Sequence, residues 1–142
     1  MNNIEHDILT RCLHMIYTQL LTYSSDTALE SIERLIYLIR YLSNPVSQST
    51  LAEELHTIQE VFNIYPASAS FEIDCSSANP QTLVQRCAIV YEICQHGMEL
   101  MHNGYALQSL SISQEPTQLT YTFTDTSQNI FRGTIYGQAL NS

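Results

Sequence analysis

Two stretches of helical periodicity open the chain and decide what the rest of it must supply. Apolar side chains fall at Ile4, Ile8, Leu9, Cys12, Met15, Ile16 and Leu20, and again at Leu29, Ile32, Leu35, Ile36, Ile39 and Leu42. That spacing predicts amphipathic helices over residues 3–23 and 27–42. Tyr23-Ser24-Ser25-Asp26 breaks the pattern, with Ser25 or Asp26 placed to cap the second helix, and Asn44-Pro45 ends it. Two helices of similar length joined by so short a turn form an antiparallel hairpin. Such a hairpin buries one stripe per helix, and it needs another layer to do so. That layer is either the rest of this chain or a second hairpin from a partner chain.

The remainder alternates between the two periodicities. Ser49 or Thr50 followed by Glu53 resembles a capping box, and Leu51, Leu55, Ile58, Val61 and Phe62 supply the helical face behind it, with Pro66 as the stop. Ser70 to Cys75 alternates and reads as a strand. Pro80 sits well for the first turn of a long helix running to about His102 and closed by Asn103-Gly104. Strands are then expected over 106–113, 118–124 and 130–136. Helices first and a run of strands last make an α+β fold with helices packed on one face of a sheet.

Composition removes several classes of function. Fourteen acidic residues stand against five arginines and no lysine, for a net charge of −9 in 142 residues. Nucleic-acid binding needs a basic stripe that this chain does not have. The missing lysine also takes away the usual point charge for nucleotide phosphates. No apolar run approaches the roughly 18–20 residues that span a bilayer, and Met1-Asn2-Asn3-Ile4-Glu5 lacks the basic start of a signal peptide. A cytoplasmic protein is the expectation, without membrane insertion and without a nucleic-acid partner. Cys12, Cys75, Cys87 and Cys94 form no C-x-x-C pair and read as reduced core residues, with Cys87 and Cys94 on one helical face. His6 and His14, eight apart and without a third ligand, make a poor zinc pair, so no metal site is assigned.

Five segments, taken in order, resemble the core of sensor histidine kinases of the autolysin-sensor (LytS) type. Ile4-Glu5-His6-Asp7-Ile8-Leu9 falls in register with that family's phosphoacceptor helix and puts His6 at the histidine position. Leu38-Ile39-Arg40-Tyr41-Leu42-Ser43 matches the end of its second helix, with Tyr41 placed 35 residues after His6 (41 − 6). Thr50-Leu51-Ala52-Glu53-Glu54-Leu55-His56-Thr57-Ile58 and Phe71-Glu72-Ile73-Asp74 follow. Val90-Tyr91-Glu92-Ile93-Cys94-Gln95-His96-Gly97 then stands where the family's central ATPase helix carries its asparagine and ends in His-Gly. The resemblance implies a helical hairpin over residues 1–45 that pairs into a dimeric four-helix bundle. It implies a truncated Bergerat-type (GHKL) α/β sandwich over residues 46–142.

The departures from the family pattern bear on chemistry. Glu92 replaces the asparagine that helps hold magnesium on the nucleotide phosphates. The position of the adenine-reading Asp-x-Gly is met by Asp125-Thr126-Ser127, without glycine, and only Gly133 and Gly137 remain of a glycine-rich lid. The positions matching the nucleotide site are therefore Glu92, His96, Gly97 and Asp125, read as non-functional, and no cofactor is expected. A phosphoacceptor imidazole must stand exposed on a helix with a nitrogen free to attack, and His6 is the one catalytic candidate. Glu53 and Glu54 read as a solvated first turn that complements the helix dipole, and Arg40 as a structural ion-pair partner. The resemblance points to a non-catalytic two-component signalling module that docks a response-regulator receiver domain or a sensor kinase. One alternative is a histidine phosphotransferase with His6 as phosphoryl carrier. Another is a structural homodimer module without signalling chemistry.

Overall fold

The protein is described by a computed structural model covering residues 3–22, 25–65 and 71–137. The turn residues Tyr23 and Ser24, the stop at Pro66 and the strand start at Ser70 lie outside the described residues. Helices α1 (Asn3–Thr22) and α2 (Ser25–Ser43) form the hairpin. Strand β1 (Gln48–Thr50), helix α3 (Leu51–Ile64), strands β2 (Glu72–Ser77) and β3 (Leu83–Gln85), and helix α4 (Ala88–His102) follow. Strands β4 (Leu107–Gln114), β5 (Gln118–Asp125) and β6 (Ile130–Tyr136) complete an α+β fold.

The main sheet runs β2-β4-β5-β6, with β2 parallel to β4 and the other pairs antiparallel. Alternation along the strands sorts its two faces. Leu110, Ile112, Leu119, Tyr121, Phe123 and Ile135 are buried on the helix side. Ser109, Ser111, Ser113, Thr120, Thr122 and Thr124 turn hydroxyls to the other side, paired across β4 and β5 as Ser109–Thr124, Ser111–Thr122 and Ser113–Thr120.

Helices α3 and α4 lie between the sheet and the hairpin. Ile8, Cys12 and Ile16 of α1 and Leu38 of α2 join the same core as Ile58, Ile93 and Phe123. A ladder of polar contacts fixes α2 along α3. Arg34 Nη1 pairs with Glu60 at 2.9 Å, Tyr37 and Thr57 share a hydroxyl bond of 3.1 Å, and the Tyr41 hydroxyl donates to Glu54.

Two features differ from the sequence reading. The long helix does not begin at Pro80. Residues 83–85 instead form β3, antiparallel to β1 with Ser49 opposite Val84. Cys87 then takes a left-handed backbone (φ 69°), which no helix interior accepts, so α4 starts at Ala88 and Cys87 stands outside the helical face assigned to it. The Pro80–Thr82 turn has its own role. The Leu51 N–H donates to the Thr82 carbonyl at 2.8 Å and the Ala52 N–H to the Pro80 carbonyl at 2.9 Å, satisfying two orphan donors of α3.

The second difference lies in α2. Its buried side is Ala28, Ser31, Leu38, Tyr41 and Leu42, whereas Leu29, Ile32, Ile36 and Ile39 of the sequence stripe face outward. The α3 cap and the last three strands match the expectations. Thr50 caps α3 through a complete capping box with Glu53, and strands β4, β5 and β6 fall within a residue or two of the expected bounds. Cys12, Cys87 and Cys94 are buried free thiols and Cys75 is half-buried. Among the described residues, no helix is long and apolar enough to cross a membrane.

Candidate functional site

Of the residues the sequence singled out, helix α4 carries Glu92, His96 and Gly97, and its geometry separates them. Glu92 and His96, one turn apart, open into a surface depression of about 350 Å³ shared with Gln95, Glu99, Tyr121, Arg132 and Gly133. Two carboxylates and one guanidinium on this rim leave its charge mildly acidic.

Behind the rim the depression is closed by rings. His96 Nδ1 and the Tyr121 hydroxyl share a hydrogen bond of 2.9 Å, and the imidazole stands edge-on to both Tyr121 and Phe123. Burial, helped by the charge of Glu92, pushes the Tyr121 phenol up to about 12, so it stays neutral at physiological pH. The Tyr121 ring lies across Gly133 in the space where a side chain would begin.

Gly97 turns from the rim into the core. It is buried, and a Cβ there would stand 2.6 Å from Phe62 Cζ and 2.9 Å from Phe123 Cζ. The His-Gly pair thus works as packing geometry, with the glycine letting helix, ring and sheet approach closely.

Asp125 is not part of this depression. It ends β5 and organises the turn into β6, accepting from the Ser127 N–H (3.0 Å), the Asn129 N–H (2.7 Å) and Asn129 Nδ2 (2.9 Å). The Asn129 side-chain bond leads the causes that hold its carboxyl below the ordinary aspartate value. Both oxygens are engaged within their own loop.

His6 is exposed on the first turns of α1, with Nδ1 3.5 Å from the Thr10 hydroxyl. Its neighbours point elsewhere. Glu5 turns inward and accepts from the Tyr91 hydroxyl on α4 at 3.4 Å, and Asp7 pairs with Arg11 at 3.1 Å. His14 is also exposed, and Arg40 makes no ion pair among the described residues. Within that set, no group of three or more His, Cys, Asp or Glu side chains could hold a metal ion.

The residue that sequence reasoning misplaced is Glu54. It is wholly buried. Its carboxylate accepts from the Tyr41 hydroxyl, from Ser49 Oγ (3.2 Å), and from the backbone N–H groups of Cys87 (3.1 Å), Ile89 (3.2 Å) and Val90 (3.4 Å). Cys87 gives α4 no side-chain cap, so Glu54 of the neighbouring helix supplies one, where a negative charge also meets the positive end of the helix dipole. Burial raises the Glu54 pKa, and these hydrogen bonds oppose that rise. Arg86 lies over the Tyr41 ring at 3.9 Å and donates through Nε and Nη2 to the Tyr41 carbonyl at 3.2 Å each. A signal for this was present: Glu54 falls three residues after Leu51 and four before Ile58, on the apolar stripe, whereas Glu53 falls off it.

No protein-family model matches the sequence, and no curated protein matches it.

Proposed function

We propose that this chain is a two-component-type signalling module, a sensor-kinase core without nucleotide chemistry, that acts as a homodimer and docks a response-regulator receiver domain or a sensor kinase. One observation carries the reading. Tyr41 from the Leu38–Ser43 segment, Glu54 from the Thr50–Ile58 segment and the Val90 N–H at the head of the Val90–Gly97 segment meet at one buried carboxylate. Three stretches that resemble one family in order are thereby neighbours in space, joined by bonds that hold the hairpin against the α4 unit. The rings of Tyr121 and His96 behind Glu92, and the engagement of Asp125 in its own turn, support a role without ATP.

The test is complex formation with purified receiver domains on a sizing column, with and without prior phosphorylation of the receiver. A receiver co-eluting with the chain is expected. Elution of the chain alone beside every receiver tried would sink the reading.

A second reading rests on His6. Among the described residues its exposed imidazole meets the Thr10 hydroxyl at Nδ1, and in the tautomer with Nδ1 protonated Nε2 keeps its lone pair for attack. In that version His6 takes a phosphoryl group from a receiver aspartate, which is released as free carboxylate, with Mg²⁺ supplied at the receiver. Label passing from a phosphorylated receiver to the wild type and not to His6→Gln is the expected result. An unlabelled wild type removes it.

A further inference from the structure

The depression beside Glu92 continues onto an open sheet edge. Strand β6 is the outer strand of the four-stranded sheet and pairs with β5 alone. The Asp125 N–H bonds the Asn129 carbonyl across that pair at 3.1 Å, and antiparallel bonds recur at every second position. Phe131, Gly133 and Ile135 therefore direct their backbone groups to β5. Ile130, Arg132, Thr134 and Tyr136 turn theirs away from it, a row of open donors and acceptors. Among the described residues nothing covers the row: Ile130 and Tyr136, at its two ends, are 58% and 68% exposed.

Beside this edge α4 raises a wall. Glu92, Gln95 and Glu99 follow steps of 3 and 4 residues, one stripe of a helix, and all three line the depression together with Gly133. The phenol end of Tyr121 lies over Gly133, which brings no side chain of its own. A strand laid on the open edge places its residue opposite Gly133 on that same face, directed toward the Tyr121 hydroxyl and the carboxylates of α4. Arg132, the cation of this rim, makes no ion pair among the described residues.

We propose that the open edge of β6 takes an extended segment of a basic partner protein as a fifth strand, with a lysine or arginine opposite Gly133 reaching Glu92 in the depression. Backbone pairing supplies the affinity, and the cation sets register and choice of partner. A second copy of β6 is the poorer occupant. Centred on Gly133, it would put glycine where the depression has room for a long side chain, and it would bring together two chains of −9. The inference goes beyond the receiver or kinase docking described above and does not depend on it.

The probe is a capped, fluorophore-bearing peptide, Thr-Val-Thr-Lys-Thr-Val-Thr. Its alternation sets valines opposite Phe131 and Ile135 and the lysine opposite Gly133 in either strand direction. Fluorescence anisotropy with the full chain should show saturable binding that weakens with added salt. Amide exchange should slow at Arg132 and Thr134 when the peptide is bound. Glu92→Gln should bind about fivefold more weakly. Thr134→Pro removes an edge N–H that β5 does not use, so it should lose binding while circular dichroism shows the fold kept. A peptide with glutamate for lysine, or with proline for the two threonines beside it, should not bind. No binding up to millimolar peptide, or equal binding by the glutamate peptide, overturns the proposal. Protection of Arg132 and Thr134 that grows with protein concentration in the absence of peptide also overturns it, because a second copy would then hold the edge.

Discussion

The hydroxyl of Tyr41 on α2 donates to the carboxylate of Glu54 on α3, inside the core and 13 residues away along the chain. Because the same carboxylate also accepts from the first N–H groups of α4, three helices meet at one side chain. Tyr41→Phe removes one donor and keeps the ring, and it should cost about 1–2 kcal/mol. Glu54→Ala leaves a hydroxyl and several N–H groups unpaired beside a small cavity, and should cost about 3–5 kcal/mol. Urea denaturation of the two variants checks the ordering. Equal midpoints would mean the carboxylate is not the organising group.

Two carboxyl groups act on stability in opposite pH windows. Asp125 is depressed in the fold, so its contribution is present above the unfolded value near 3.8 and is lost as pH falls through the folded one. Glu54 is raised, so the folded state holds its proton more tightly. That contribution is full below the unfolded value near 4.5 and is lost as pH rises through the folded one. Melting temperature against pH should therefore lose its low-pH fall in part in Asp125→Asn, and its decline above 4.5 in part in Glu54→Gln. Profiles parallel to wild type in both variants would contradict these assignments.

Gly97→Ala places a methyl group against Phe62 and Phe123, two buried rings already packed edge to face with centroids 6.0 Å apart. A loss of about 1–3 kcal/mol is expected, readable as a lowered melting temperature. An unchanged melt would show that α4 can lift from the sheet without penalty.

Mg-ATP should leave the melting temperature flat up to millimolar concentration, because ligand binding to the folded state would raise it. The same titration on Tyr121→Ala tests whether the ring is what closes the depression. A rise in wild type would place nucleotide beside Glu92 and end the reading of a silent site.

The periodic signals carried most of the fold. Helices α1 to α3 and strands β4 to β6 were legible because each has a burial rhythm set by its own residues. The β1–β3 pair was not, since three-residue strands hold no rhythm, and the positive φ of Cys87 has no signature in a non-glycine residue. For α2, apolar periodicity located a face without saying which way it points. The chain presents its isoleucines outward and packs Ala28, Ser31 and Tyr41 inward, where small residues and a hydroxyl suit close helix contact. The burial of Glu54 was masked by reading it with Glu53 rather than with Leu51 and Ile58.

The carbonyls of Pro80 and Thr82 that receive the first donors of α3 have a kinetic consequence. The opening turn of that helix is finished by chain that lies 28 and 31 residues beyond the two donors (80 − 52 and 82 − 51), so it closes only after the intervening loop has been drawn in. Amide exchange at Leu51 and Ala52 therefore reports arrival of this distant segment, while amides in the middle of α3 report the helix itself.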